Sequence, residues 1–141
     1  MTIKAVTPYF LLNGKTEQAI ALYQRALGAK VETMQRFGDV DGSCPAAMKN
    51  RVMHAALQVG DAVLLMSDGS TDDEAPSQSG NVSVALQIDD PDQARRCFDA
   101  LATNGKVVQP LIDAPWGALF GVVSDEFGIN WMFNSAKAKK A

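Results

Sequence analysis

The chain has 141 residues, of which 47% are hydrophobic and 21% charged, and a formal net charge of −3. These values describe an ordinary folded chain of one domain and exclude a nucleic-acid footprint, which needs clustered Lys and Arg. No apolar run approaches the roughly 20 residues of a membrane helix, and no signal-peptide pattern opens the chain. Cys44 and Cys97 make neither a disulfide framework nor a zinc motif, so a cytoplasmic protein with two reduced thiols is expected.

Residues 6–12, Val-Thr-Pro-Tyr-Phe-Leu-Leu, have strand composition, with Pro8 marking an unpaired edge near the start. Asn13-Gly14 breaks the run. Ala19, Ile20, Leu22, Tyr23, Ala26 and Leu27 then recur at helical spacing, which predicts a helix over 16–27 with Gly28 as its stop. Residues 31–37 alternate as a second strand. Residues 38–50, rich in Gly, Asp, Ser and Pro, read as a long loop, either a ligand-facing segment or a tolerated excursion.

Residues 52–67 form a hairpin closed by Gly60-Asp61. That turn sets Leu57 opposite Leu64, Ala56 opposite Leu65 and His54 opposite Ser67. One face is then apolar from Met53 to Met66, and the other is mixed, carrying His54, Gln58 and Ser67. Residues 69–80 are the most polar stretch and read as a linker.

The pattern then restarts. Residues 82–88 alternate, with Val84 and Leu86 on one face and Ala85 and Gln87 on the other. Asp90-Pro91-Asp92-Gln93 is a helix start, Ala94, Cys97, Phe98 and Leu101 are the buried stripe, and Asn104-Gly105 ends the helix. A strand over 107–112 and the bend Pro115-Trp116-Gly117 lead into a last hairpin joined by Asp125-Glu126-Phe127-Gly128. Pairing Ser124 with Ile129 there predicts Val122 opposite Trp131 and Phe120 opposite Phe133. Trp131 and Phe133 face a core, while Asn130, Met132 and Asn134 share the mixed face. Both halves run strand, helix, strand, hairpin. Placing Gln18-Ala19 on Gln93-Ala94 also puts Tyr23 on Phe98 and Leu11 on Leu86, as an internal duplication would.

These residues carry a resemblance. Glu17-Gln18-Ala19 with Leu22-Tyr23 and Leu27-Gly28 looks like the first helix of the vicinal-oxygen-chelate superfamily, which includes glyoxalase I, bleomycin- and fosfomycin-resistance proteins and extradiol dioxygenases. Ser43-Cys44-Pro45, His54, Met66-Ser67-Asp68, Trp116-Gly117, Phe120-Gly121, Asp125, Phe127-Gly128 and Trp131 resemble its branch labelled 3-demethylubiquinone methyltransferase-like, or after the phosphonate operon. The resemblance implies an α+β fold of two βαβββ modules, cupped mixed sheets with helices outside (the glyoxalase/bleomycin-resistance/dioxygenase fold), over a single domain 1–141. Module 1 spans about 3–68, the linker 69–80 and module 2 81–135. It also implies a homodimer.

In that superfamily a divalent metal is held by His and Glu side chains from four strands. The matching positions here are Pro8, Leu65, Ser83 and Met132, none of which is such a ligand, so neither metal nor cofactor is expected. No glycine-rich turn of the adenosyl-cofactor kind and no nucleophile elbow is present.

His54, the single histidine, is the candidate catalytic or ligand-contacting group, because imidazole ordinarily titrates near neutrality; a structural role is the alternative. Ser67, Gln87, Trp116, Asn130 and Met132 complete the candidate ligand-binding set. Asp68 and Asp125 read as turn residues, and Trp131 as core. The expected activity is metal-free binding or sequestering of a small molecule, with no nucleic-acid or membrane partner. The alternative is an enzyme of the lyase, isomerase or transferase type that uses His54 or a metal held by other ligands.

Overall fold

The computed structural model describes residues 2–70 and 82–136. The chain divides into two compact units, Met1–Ser77 and Gln78–Ala141. Most of the expected linker and the basic tail after Ala136 lie outside the described residues.

In the first unit, strand β1 (Tyr9–Leu11) is followed by helix α1 (Thr16–Leu27), strand β2 (Lys30–Arg36), a single helical turn α2 (Phe37–Val40), and strands β3 (Val52–Val59) and β4 (Ala62–Ser67). The sheet order is β1-β4-β3-β2, with β1 parallel to β4 and the other pairs antiparallel. The second unit repeats this plan with strand β5 (Val84–Gln87), helix α3 (Pro91–Ala102), and strands β6 (Lys106–Asp113), β7 (Ala118–Ser124) and β8 (Asn130–Ala136), in the order β5-β8-β7-β6.

Each helix covers one face of its own sheet. Ala19, Ile20, Leu22, Tyr23 and Ala26 of α1 are buried together with Phe10, Ala55, Leu57, Leu64 and Met66, and the Phe10 and Tyr23 rings meet edge to face at 6.3 Å. Ala94, Cys97, Phe98 and Leu101 of α3 are buried with Leu119, Val123, Trp131 and Phe133, and Phe98 meets Phe133 at 5.3 Å. Gly121 permits that approach. A Cβ there would stand 2.9 Å from Phe98 Cε2 and 2.9 Å from Leu111 Cδ2.

The helix ends follow the sequence signals in part. Gly28 adopts the left-handed conformation (φ 67°), and its N–H and that of Ala29 close onto the Gln24 and Tyr23 carbonyls. Asp90 caps α3 by accepting from the Asp92 N–H at 3.0 Å. The start of α1 has no local cap. Asp68, 52 residues away, accepts from the Thr16 N–H through Oδ1 (2.9 Å) and from the Val52 N–H through Oδ2 (2.8 Å). Asp68 is thus more than a turn residue, since one buried carboxylate ties helix start to strand start.

Three register expectations are corrected. The last hairpin pairs Ser124 with Asn130, Val123 with Trp131, Val122 with Met132 and Phe120 with Asn134. Its connection has five residues, closed by Asp125 N–H to the Ile129 carbonyl and Gly128 N–H to the Asp125 carbonyl. The one-residue difference moves Phe120 and Val122 to the mixed face and puts Gly121 and Val123 in the core.

In the first hairpin, Ala56 faces Leu65 and Leu57 faces Leu64 as expected, but the ladder ends at Ala55 opposite Met66. Gln35 pairs with His54 and Arg36 with Val52, so Met53 is skipped, and the Asp68 N–H bonds the Val52 carbonyl. The slip makes Val52 fully buried in place of the half-exposed Met53; His54 pairs with Gln35 on the β2 side, and on the β4 side the ladder stops before it reaches Ser67.

The repeat also needs two offsets. The helix correspondence of Ala19 with Ala94 and Tyr23 with Phe98 holds in burial. On the strands, Tyr9 pairs with Leu65 where Ala85 pairs with Met132, so Phe10 and not Leu11 corresponds to Leu86. The first unit has one more residue between its first strand and helix.

Candidate functional site

The mixed faces are grids of cross-strand rows. In the second unit one row runs Ile112, Phe120, Asn134, Gln87 across β6, β7, β8 and β5. The next runs Gln109, Val122, Met132, Ala85. Trp116, in the β6–β7 turn closed by Gly117 (φ 86°), folds back over the first row. Its ring meets Phe120 edge to face at 5.4 Å, and its Nε1–H donates to Asn134 Oδ1 at 3.1 Å. Asn134 Nδ2 in turn donates to Gln87 Oε1 at 3.0 Å. Trp116 nevertheless remains 62% exposed. Asn130 lies further along β8 and reaches the Val82 carbonyl through Nδ2 at 3.4 Å.

In the first unit the matching rows are Tyr9, Leu65, Ala56, Thr33, and then His54 beside Gln35. The ring of Tyr9, a residue 49% exposed, lies 6.0 Å from the His54 ring at a 40° tilt. Ser67 is turned inward. It is buried, its hydroxyl accepts from the Gly69 N–H at 3.0 Å, and it donates to the Val52 carbonyl at 3.4 Å.

The proposed residues therefore fall into two groups. Gln87, Asn130 and Met132 share one face with Trp116 above it, and His54 stands on the other sheet with Tyr9 as its neighbour. Asn134, Phe120 and Tyr9 were not singled out from the sequence. Asn134 shares parity with Met132, which was the available signal. Phe120 was hidden by the one-residue register difference, and Tyr9 by the position of the strand start.

The grids also give the row neighbours of two positions matched to the superfamily's metal ligands. Leu65 and Met132 stand in matching rows, and their neighbours on β1 and β5 are Tyr9 and Ala85, one and two residues along from Pro8 and Ser83. The donor set is then a phenol, two hydrocarbon side chains and a thioether, which does not suit a hard or borderline divalent ion. Among the described residues no three His, Cys, Asp or Glu side chains come together.

The segment 37–50 is tied to its surroundings. Arg36 pairs with Glu17, and its guanidinium donates to the Asn50 carbonyl at 2.7 Å. Asp41 accepts from the N–H and hydroxyl of Ser43, which hold its carboxyl below the usual range. Burial pushes the Cys97 thiol up, whereas Cys44 is half-exposed; both are free.

The family model for the glyoxalase/bleomycin resistance protein/dioxygenase superfamily matches residues 5–133. The chain belongs to that superfamily. Protein YjdN of Escherichia coli (strain K12) is 33% identical over 142 aligned positions, covering 94% of this chain and 95% of its own. Protein PA1353 from Pseudomonas aeruginosa has a crystal structure that matches with a TM-score of 0.83 at 35% identity, over 96% of this chain and all (100%) of that one. A Bacillus cereus protein described as a putative 3-demethylubiquinone-9 3-methyltransferase, PhnB protein, shares the fold (TM-score 0.76, 18% identity, 94% of this chain and 100% of that one). The doubled βαβββ plan is the superfamily's. No helix among the described residues is long and apolar enough to cross a membrane.

Proposed function

We propose that this protein is a metal-free member of the glyoxalase superfamily that binds a small molecule on its mixed sheet faces. The observation that carries the reading is the row set Tyr9, Leu65, Ala85 and Met132, which offers no imidazole or carboxylate at or beside the positions matched to the superfamily's metal ligands. A second observation supports it. The second unit's face has an apolar floor of Phe120, Val122 and Met132, edged by the amides of Gln87, Asn130 and Asn134 and by the exposed Trp116 indole, a composition that suits a small-molecule site.

His54 is the ligand contact on the first unit. One competing reading is an enzyme of lyase, isomerase or transferase type in which His54, the single histidine and half-exposed on the mixed face, moves a proton. A homodimer fits the exposed Val31 and Met34 on edge strand β2 and Val107, Val108 and Ile112 on edge strand β6. Both edges carry register slips, which disfavour simple continuation of the ladder, so the copies would meet through side chains.

Elemental analysis of untagged protein after mild dialysis tests the metal-free reading. Substoichiometric zinc, nickel, manganese and iron are expected; one bound equivalent of any of them overturns it. An NMR titration with a library of small aromatic compounds tests binding, with shifts expected along β7, β8 and the 116–117 turn. Turnover of a library compound that is abolished by His54→Ala would favour the enzyme reading.

A further inference from the structure

We infer that the second unit's face selects ligands carrying a hydrogen-bond acceptor, such as a carbonyl oxygen on a planar aromatic group, and that Gln87 supplies the donor. The inference rests on the small-molecule reading above and deepens it by fixing the polarity of the site.

The polarity follows from the chain Trp116, Asn134, Gln87. An indole N–H donates and never accepts. Asn134 must therefore turn its carbonyl oxygen to Trp116, at 3.1 Å, and its NH2 group away. That NH2 group donates to Gln87 at 3.0 Å, so Gln87 must answer with its own oxygen. The Gln87 amide then keeps Nε2, with its two N–H donors, free of any other hydrogen-bond partner among the described residues. Each amide orientation, ordinarily ambiguous because O and N look alike, is set by the donor-only residue at the head of the chain.

The register places this donor beside an apolar surface. Gln87, Asn134, Phe120 and Ile112 form one row, and Met132 and Val122 lie in the next. Trp116 stands over the row with 62% of its surface exposed and one ring edge fixed by Phe120 and Asn134. A planar ring that lies against Trp116 and Met132 would bury apolar area there. Its substituent reaching Gln87 meets donors, so an acceptor oxygen gains hydrogen bonds, whereas a hydrocarbon group leaves the amide unpaired and a donor group opposes it.

The test uses the full-length protein and two probes of nearly equal shape, 2-acetylnaphthalene and 2-isopropenylnaphthalene, which differ by a carbonyl oxygen replaced by a methylene group. Both are titrated while the Gln87 side-chain NH2, the Trp116 indole N–H and the β7–β8 backbone amides are followed by NMR. The ketone is expected to bind about threefold to tenfold tighter, the range of one neutral hydrogen bond, and it alone should shift the Gln87 NH2 signals. Gln87→Glu, which replaces the donors with acceptors, should abolish the preference. Trp116→Phe keeps a ring but removes the N–H that orients the chain, and it should reduce the preference without abolishing binding. Equal binding of both probes to wild type, or a ketone preference unchanged in Gln87→Glu, overturns this inference while leaving the small-molecule reading standing. No shift along the face with either probe overturns both.

Discussion

The indole Nε1–H of Trp131 donates to Oδ2 of Asp125 at 2.9 Å, inside a core where Trp131 has no exposed surface. The other oxygen of the same carboxylate accepts from the N–H groups of Phe127 (2.9 Å) and Ile129 (3.0 Å). One buried side chain therefore joins the β7–β8 turn to the largest fully buried side chain of the protein. A carboxylate that closes a turn this way is costly to leave unsatisfied, so the turn and the core form as one unit.

Asp125→Ala should destabilise the protein by about 2–3 kcal/mol, the scale of a lost charge-assisted hydrogen bond plus buried donors left without a partner. Urea unfolding monitored by Trp fluorescence measures this. A change under half of that range would mean that water replaces the carboxylate without loss.

Asp68→Ala should act on two elements at once, because Oδ1 serves the start of α1 and Oδ2 the start of β3. The expected loss is again about 2–3 kcal/mol. Hydrogen exchange gives a sharper readout. The Thr16 and Val52 amides should lose protection together, and loss at Thr16 alone would separate the two roles.

Gly121→Ala should cost about 1–3 kcal/mol through overpacking, since the new methyl meets Phe98 and Leu111 at 2.9 Å. The neighbouring backbone needs no left-handed conformation here, so the cost is one of space. Phe98→Leu in the same chain should recover part of the loss. Purely additive effects would show that the clash is relieved elsewhere.

His54→Ala should weaken ligand binding or turnover more than stability, because the half-exposed imidazole stands on the mixed face and not in the apolar layer. A loss of several kcal/mol with unchanged ligand affinity would make it a structural residue.

Cys97 should react slowly with thiol reagents while Cys44 reacts readily, since burial keeps the Cys97 thiol protonated. The same shift has a sign for stability. With the folded-state pKa raised, the folded chain holds its proton where the unfolded chain has released it, so stability should fall as pH rises through the ordinary thiol range. Cys97→Ser should flatten that alkaline slope; an unchanged slope would assign it to other groups.

Much of this was legible in the residues. The spacing of Ala19, Tyr23 and Ala26, and of Ala94, Phe98 and Leu101, determined both helices and their buried stripes, because a period of 3.6 leaves one apolar face to cover. Alternation around Trp131 and Phe133 determined which side of β8 meets the helix, and the repeated element order determined the superfamily. What alternation leaves open is register, since a slip of one residue reverses a whole strand. Phe120 and Val122 changed face because the connection after Ser124 has five residues, and Val52 entered the core because Met53 is skipped. Such slips depend on how turns and bulges close against the packed sheet, which no single segment encodes. The chain Trp116, Asn134, Gln87 and the double role of Asp68 likewise join residues 18, 47 and 52 positions apart. The sequence by itself determined the two modules, the buried stripes of both helices and the core side of β8 through local periodicity; only the tertiary structure decided the core side of β7 and which side chains share a row, because cross-strand partners are chosen by the folded ladder.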